Sequence, residues 1–276
     1  MKLITNAYVT SNGVYNEQGG LIIGSQRISN NHPDVYWQQS NIELTLSKDI
    51  TKFKIKKTIP SVVFVGRIPR HFGHFIMEGL PRLCDVYKLN LPIICDIVTG
   101  NLPPDMRVLP VEDIKWVISC LTKKKIYKHP IKEEVYKVKN LYIPDLPFHL
   151  SHNCSEPERM KEMISKIISC VWKKHLKLPI KRIDNLYLIR DGEKLNKSLS
   201  KKYTIANTKA HISKQICDVS IADSLHGIIG SSTHISIFAH QNCLLRLTPR
   251  KHIQAVRNQA ICDLVKSYND YYPIYI

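Results

Sequence analysis

The sequence has 276 residues, enough for one large domain or two smaller ones with a buried core. Its 43% hydrophobic and 23% charged residues are typical of a folded globular protein and argue against disorder. The 40 Lys and Arg residues outnumber the 23 Asp and Glu residues, and the net charge of +17 predicts a surface that attracts anions.

The first half of the chain predicts short strands followed by a β-α-β unit. The opening residues alternate in polarity and turn at Asn12-Gly13 and Gly19-Gly20, which is typical of short antiparallel strands. SVVFVG (61–66) and PIICDIV (92–98) are apolar, β-branched runs that predict buried strands, with a helical segment between them. We therefore expect a parallel sheet flanked by helices.

The second half begins with a long predicted helix over residues 156–177. One face of this helix carries a stripe of apolar residues that we expect in the core: Met160, Met163, Ile164, Ile167, Ile168, Val171, Trp172 and Leu176. Strands are predicted at 185–191, 226–230 and 243–247, and helices at 211–222, 232–241 and 252–268. The alternation of predicted strands and helices predicts an α/β fold of two units, divided into residues 1–178 and 179–276.

The eight cysteines are irregularly spaced, and no C-x-x-C pair occurs among them. They indicate neither a zinc site nor a disulfide framework, and they are typical of buried thiols in a reducing compartment. The opening residues lack the apolar stretch of a signal peptide, and no later stretch is long enough to cross a bilayer. We expect a cytoplasmic protein without stable membrane insertion.

The stretch RHFGHFIMEGLPRL (70–83) combines ionisable and apolar residues at helical spacing. On a helical wheel one narrow sector holds the polar residues His71, His74, Glu78, Arg82 and Asp85. The opposite side holds the apolar residues Phe72, Phe75, Ile76, Leu80, Leu83 and Tyr87. A proton acceptor, a partner for it and a cation on one face indicate a catalytic wall.

Two residue spacings refine this prediction. His74 and Glu78 are four residues apart, so their side chains can meet on a helix. Pro81 removes a helical N–H and crowds the carbonyl of Met77, so the helix should kink or restart there. Two alternatives stay open: an ordinary amphipathic helix with a solvated polar face, and a metal site at His71, His74 and Glu78, whose spacing matches no standard zinc helix.

The stretch HGIIGSSTHIS (226–236) predicts an anion site in the second half. It runs from a strand through Gly230 into a helix whose first N–H groups attract phosphate. Arg190 and Lys194 follow the strand at 185–191 and can reach the same edge of the sheet. No P-loop, dinucleotide fingerprint or D-x-D sequence occurs, so arginine, lysine and the helix terminus would hold the charge without a metal.

Four blocks of the sequence resemble glycosyltransferase family 61. HFGHFIMEGLPRL resembles the family's N-terminal signature, in which a His, a Glu and Leu-Pro-Arg-Leu follow at this spacing. LYLIRDGEKLN resembles its later block, a strand ending in Arg followed by a basic residue and Asn. HISKQICDVSIA resembles its Gln-containing helix, and IIGSSTHISIF stands where the family has a His-Gly-Ala-Gly turn.

The resemblance implies a GT-B fold, two Rossmann-like α/β domains that face a central cleft. It implies an acceptor side in residues 1–178 and a nucleotide-sugar site in residues 179–276. The implied reaction inverts the anomeric centre and moves a sugar from a UDP-sugar, with xylose as the first expectation, to a glycan hydroxyl. It needs no divalent metal or other cofactor. Related bacterial and large-DNA-virus proteins build capsular or capsid glycans, so a viral xylosyltransferase of the host cytoplasm is one expectation.

The resemblance also implies roles for single residues. Glu78 or His74 would deprotonate the acceptor hydroxyl, and we favour Glu78 with His74 positioning it; His71 and Arg82 would lie on the acceptor side. The expected nucleotide-sugar site consists of basic, hydroxyl and turn residues of the second half: Arg190, Lys194, Gly230, Ser231, Ser232, Thr233 and His234. His226 is a weaker candidate for contact with phosphate or base.

Two other classes of function stay open. A basic nucleic-acid-binding protein accounts for the charge of +17 but not for the acid-base stripe, and the sequence contains no nucleic-acid-binding motif. The second alternative is an enzyme-like protein that binds an anionic glycan without turnover. We expect a UDP-sugar donor and a glycan acceptor as partners, and no nucleic acid.

Overall fold

The chain forms two compact units whose segments alternate along the sequence. A computed structural model describes residues 1–11, 13–20, 22, 49–52, 54–98, 107–131, 134–144, 157–176, 181–189, 197–228, 230–240 and 242–248. The six-stranded unit comprises residues 1–69, 82–101 and 122–146. The four-stranded unit comprises residues 70–81, 102–121 and 147–276.

The described residues form ten strands and six α-helices, which we number in chain order. The strands are β1 (Lys2–Thr10), β2 (Gly13–Tyr15), β3 (Lys54–Pro69), β4 (Ile93–Val98), β5 (Ile126–Lys128), β6 (Glu134–Ile143), β7 (Ile183–Tyr187), β8 (Thr204–Ile205), β9 (Ala222–Ile228) and β10 (Leu244–Thr248). The α-helices are α1 (Phe72–His74), α2 (Val86–Leu89), α3 (Val111–Leu121), α4 (Pro157–His175), α5 (Lys197–Lys202) and α6 (Ile212–Ser220).

Four further helical segments complete the described elements. Three are 3-10 helices, at Ile50–Lys52, Pro81–Leu83 and Ser231–Phe238, and one is a π-helix at Phe75–Gly79.

The six-stranded unit contains a mixed sheet in the order β2-β1-β6-β3-β4-β5. The strands β6, β3, β4 and β5 run parallel, whereas β1 is antiparallel to both β6 and β2. The predicted turn after β1 is confirmed, because Thr10 pairs with Gly13. The predicted parallel pairing of the strands at 61–66 and 92–98 is also confirmed, although β3 extends well beyond the predicted run.

Alternating β-branched residues build the core of this sheet. Val62, Phe64, Ile94, Val138 and other buried side chains form one apolar cluster. The pairing of β3 with β4 shifts register between Phe64 and Gly66. Gly66 has a φ of 76°, a left-handed conformation that a residue without Cβ adopts easily, so it permits this bulge.

The four-stranded unit contains a wholly parallel sheet in the order β10-β9-β7-β8. Its strands carry buried apolar residues, such as Leu186 on β7 and Leu225 on β9. The predicted strands at 185–191, 226–230 and 243–247 correspond to β7, β9 and β10, and the predicted helix at 211–222 corresponds to α6. The predicted helix at 252–268 lies outside the described residues.

The long predicted helix is confirmed as α4, which begins at Pro157 and has basic residues in its last turn, as the helix dipole favours. Met160, Met163, Ile164, Ile167 and Val171 are buried, as expected. The expectation that Trp172 lies in the core is wrong, because its side chain is 40% exposed. The reason is that the apolar stripe covers more of the helix circumference than the neighbouring helices bury.

The predicted α/β fold class is confirmed, whereas the division at residues 178 and 179 and the GT-B arrangement stay predictions. The segment predicted as a helix at 232–241 is helical from Ser231 to Phe238, but it is a 3-10 helix. In the part of the chain that the structure describes, no helix is long and apolar enough to cross a membrane.

Candidate active site

The stretch 70–83 does not form the single amphipathic helix that its spacing predicts. α1 passes into the π-helix Phe75–Gly79, and the chain restarts as a 3-10 helix at Pro81. The Leu80 N–H donates to the Phe75 carbonyl at 2.7 Å, five residues back. Pro81 has no N–H to continue the ladder, so the predicted interruption at this residue is confirmed.

The acidic side chain of this stretch, Glu78, is buried. Phe72, Phe75, Ile76 and Leu80 are buried as predicted, but Glu78 is also buried, with only 4% of its surface exposed. A solvated polar face would leave this carboxylate in water, so the alternative of an ordinary amphipathic helix is wrong. A buried carboxylate is costly unless a charged or polar group compensates it, which is typical of a functional site.

His74 supplies that compensation. Its Nδ1 lies 2.9 Å from Glu78 Oε1, which confirms that the two side chains meet across one helical turn. The exposures of the two side chains differ strongly, at 34% for His74 and 4% for Glu78. The pair therefore presents an imidazole toward solvent with a carboxylate behind it.

His71 stands beside this pair at the start of α1. Its Nδ1 accepts a long hydrogen bond of 3.4 Å from the His74 N–H, and the two rings are 4.7 Å apart. Burial, together with the nearby His74 and His234, lowers the pKa of His71 from its usual 6.5 to about 4. His71 is therefore neutral at pH 7 and can donate a hydrogen bond through Nε2.

The 3-10 helix at 231–238 packs directly against α1. A Cβ placed on Gly73 would lie 3.0 Å from both His234 Nδ1 and Ser231 Cβ, which only glycine avoids. His234 Nδ1 also lies 3.4 Å from the Gly73 carbonyl oxygen. The structure thus brings His234 and Ser231 together with His71 and His74, within one compact unit.

The turn that precedes this helix is stabilised by its own residues. Thr233 Oγ1 accepts a hydrogen bond from the Gly230 N–H at 3.1 Å and donates to the Gly230 carbonyl at 2.8 Å. Thr233 is therefore a cap in this structure. The hydroxyls of Ser232 and Ser236 are buried and have no hydrogen-bond partner in the described part of the chain.

Arg107 is a neighbour of α1 that the sequence did not single out. Its guanidinium lies 3.8 Å from the centre of the Phe72 ring, and its carbonyl accepts from the Phe72 N–H at 3.0 Å. Arg107 also donates to the side-chain oxygen of Gln215 on α6. The Gln215 amide nitrogen donates to the carbonyls of Thr208 and Ala210, so the amide oxygen is oriented toward Arg107.

A buried carboxylate joins α3 to the start of α6. Asp113 accepts a hydrogen bond from the Ile212 N–H at 3.0 Å and lies 3.2 Å from His211 Nε2. His211 Nδ1 accepts from the Ser213 N–H, so the proton of the neutral ring is on Nε2 and faces Asp113. Negative charge at a helix N-terminus is stabilising, and Asp113 thereby orders the helix that carries Gln215.

The comparison with known families decides the identity of the chain. A family model described as Glycosyltransferase 61 matches residues 72–245, well over half of the sequence. The chain belongs to the glycosyltransferase 61 family. The matched region contains His74, Glu78 and the helix at 231–238. No curated protein matches the sequence.

Membership of this glycosyltransferase family implies a nucleotide-sugar donor and a glycan acceptor. The match gives no support to a nucleic-acid-binding function or to glycan binding without turnover. The expected roles of the single residues stay predictions.

The expected glycosyltransferase site also includes Arg190, Lys194 and Arg82. Arg190 and Lys194 lie outside the described residues. Arg82 belongs to the six-stranded unit, where its Nη1 would lie 3.7 Å from a Cβ on Gly66.

His226 has structural partners in this glycosyltransferase. It is buried on β9, where Nε2 lies 2.8 Å from Ser224 Oγ and 3.3 Å from Asn185 Oδ1. Burial lowers its pKa to about 4, and the positive charges of Arg246 and Lys202 act in the same direction. These contacts give His226 a structural role on β9 that needs no ligand.

The alternative of a metal site at His71, His74 and Glu78 finds no support in the geometry. Among the described residues, no group of three or more His, Cys, Asp or Glu side chains is arranged to hold a metal ion.

Proposed function

We propose that this glycosyltransferase transfers a sugar with inversion, without a divalent metal, from a UDP-sugar to a hydroxyl of a glycan. UDP-xylose is the first candidate donor. The observation that carries the proposal is the buried Glu78 carboxylate bonded to the partly exposed His74, beside the 3-10 helix at 231–238.

The proposed reaction needs one base and one anion site. The acceptor oxygen attacks the anomeric carbon from the face opposite the nucleotide, and a new C–O bond forms there. The bond from the anomeric carbon to the diphosphate oxygen breaks, and UDP leaves with the electron pair. The acceptor proton passes to the base, so atoms and charges balance within this single displacement.

The burial difference favours His74 as that base. A carboxylate that is 4% exposed and bonded to an imidazole is poorly placed to meet an acceptor, whereas the His74 side chain is 34% exposed. Glu78 would then orient the ring and stabilise the imidazolium that forms, in the way that a carboxylate supports a catalytic histidine in general. This reverses the assignment that we favoured from the sequence.

The donor side of the proposal rests on the second half of the chain. Ligands of parallel α/β sheets bind beyond the carboxyl ends of the strands, and β9 leads at its carboxyl end to Gly230 and the helix at 231–238. We place the diphosphate there, with Ser231, Ser232, Thr233 and His234. Arg190 and Lys194 would add positive charge, so that no metal is needed.

Three further parts of the proposal rest on the family resemblance. They are the GT-B arrangement of two Rossmann-like domains around a central cleft, a capsular or capsid polysaccharide as the acceptor glycan, and a cytoplasmic location.

A donor-binding and transfer assay tests the proposal. Calorimetric titration with UDP and UDP-xylose should give the same affinity with and without EDTA. NMR spectra of the product should show a β-linked sugar made from the α-linked donor. Loss of UDP binding in EDTA would refute metal-independence, and an α-linked product would refute inversion.

A further inference from the structure

A pocket lies in the four-stranded unit, lined by residues that the proposed reaction does not use. It has a volume of about 510 Å³ and lies between α4, the start of β7, the end of α6 and the turn that follows the 3-10 helix at 231–238. Ligand pockets have volumes in this range. We propose that this pocket binds an uncharged sugar residue of a glycan chain.

An exposed indole forms one wall of the pocket. Trp172 is 40% exposed although it lies in the apolar stripe of α4. Its Nε1 donates to Ser220 Oγ at 2.8 Å, and that hydroxyl donates to the Cys217 carbonyl at 2.9 Å. Because these bonds fix the ring, a ligand that stacks on it loses little conformational entropy on binding.

The pocket lining also offers hydrogen-bonding groups. Arg182 and Asn242 line the pocket, and Arg182 donates to Asp223 at 2.7 Å. A pyranose ring has an apolar face of C–H groups and an edge of vicinal hydroxyls. The C–H face matches the indole, and the hydroxyl edge matches guanidinium and amide groups.

The charge of the pocket selects against anionic ligands. Arg182 is compensated by Asp223, and His240 Nε2 lies 3.8 Å from the same carboxylate. Burial, with Arg182 nearby, lowers the pKa of His240, so this ring is neutral at pH 7. On a chain with a net charge of +17, a locally neutral pocket indicates an uncharged ligand.

The identification of the ligand as a glycan rests on the proposed function, because an enzyme that extends glycans meets sugar residues beyond the one that reacts. The pocket is tested without donor. Xylobiose and cellobiose are the probes, and saturation-transfer NMR on the full chain is the measurement. The protons of one sugar face should receive the strongest saturation because they stack on the indole.

Three variants locate the binding. Trp172→Ala should weaken disaccharide binding by about tenfold or more, since it removes a stacked aromatic surface. Arg182→Ala, an exposed position that does not threaten folding, should weaken it by a smaller factor of about threefold to tenfold. Lys173→Ala, the exposed neighbour on α4, is the matched control and should bind as the wild type does.

The results separate this inference from the proposed function. Weaker disaccharide binding in Trp172→Ala and Arg182→Ala, with unchanged binding in Lys173→Ala, supports the pocket. This holds whether or not UDP binds to the wild type. Three outcomes would overturn the inference. The wild type transfers no saturation to either disaccharide, Arg182→Ala binds the disaccharides as tightly as the wild type does, or the wild type prefers 1-octanol to both disaccharides. A failure of UDP to bind counts against the proposed function only.

Discussion

Replacing Gly73 by alanine tests whether α1 and the helix at 231–238 form one site. The new Cβ would lie 3.0 Å from His234 Nδ1 and from Ser231 Cβ. Ordinary contacts between such atoms are about 3.5–4.0 Å, so the atoms of His234 and Ser231 must move away by a few tenths of an ångström.

The energetic cost of Gly73→Ala follows from this separation. Overpacking of a close contact costs about 1–3 kcal/mol, and the better helix propensity of alanine offsets at most about 1 kcal/mol. The difference lies between about 0 and 3 kcal/mol, and a loss of about 1–2 kcal/mol from the middle of this range lowers the melting temperature by about 2–8 °C in a protein of this size. Because His234 and His74 move relative to each other, sugar transfer should also fall by about tenfold or more.

Calorimetry and a transfer assay on the same preparations check both effects. Gly230→Ala is the matched control for stability: among the described residues its Cβ would have no neighbour closer than the Ile228 carbonyl oxygen at 3.9 Å, and its φ of 171° is ordinary extended backbone. The control should melt at the wild-type temperature. A Gly73→Ala variant that melts and transfers sugar like the wild type would refute the proposed packing of α1.

Three further predictions concern charged groups. His74→Ala and Glu78→Gln should each lower turnover by about 10²–10⁴-fold while UDP affinity stays unchanged, and normal transfer by both folded variants would remove the pair from the mechanism. Arg107→Ala should lower the free energy of unfolding in urea by about 1–2 kcal/mol, through loss of its hydrogen bond and ring contact, with Arg107→Lys losing nearly as much; an unchanged urea midpoint would contradict this. Because burial holds the pKa of His71 and His226 near 4, the unfolded chain binds more protons below pH 6.5, so stability should fall between pH 6.5 and 4. The fall should be smaller in His71→Gln than in the wild type, and an equal fall in both would contradict the burial of that ring.

Local patterns predicted the elements that depend on nearby residues. The buried strands β3 and β4, the turn after β1 and the long helix α4 all follow from periodicity and turn residues that lie within one element. The meeting of His74 with Glu78 is of the same kind, because both residues lie on one turn of the chain. The interruption at Pro81 was predictable from a missing N–H.

Contacts between distant segments were not predictable in this way. The burial of Glu78 depends on the π-helix and on the elements that cover it, not on its position on a helical wheel. The close approach of His234 to Gly73 and the hydrogen bond from Arg107 to Gln215 each join residues more than a hundred positions apart. Gly73 was the available signal, since a glycine inside an apolar helical pattern often marks a close approach.

The alternation of the two units along the chain has a consequence for synthesis of the protein. The segment 70–81 belongs to the four-stranded unit, but its partner at 231–238 is translated about 150 residues later. At roughly 5–20 residues per second this delay lasts on the order of 10–30 s. The six-stranded unit is complete in sequence by residue 146, so it can fold on the ribosome first. The buried face of α1 must wait for the last third of the chain, so the nascent protein gains the packing around His74 and Glu78 only near the end of translation.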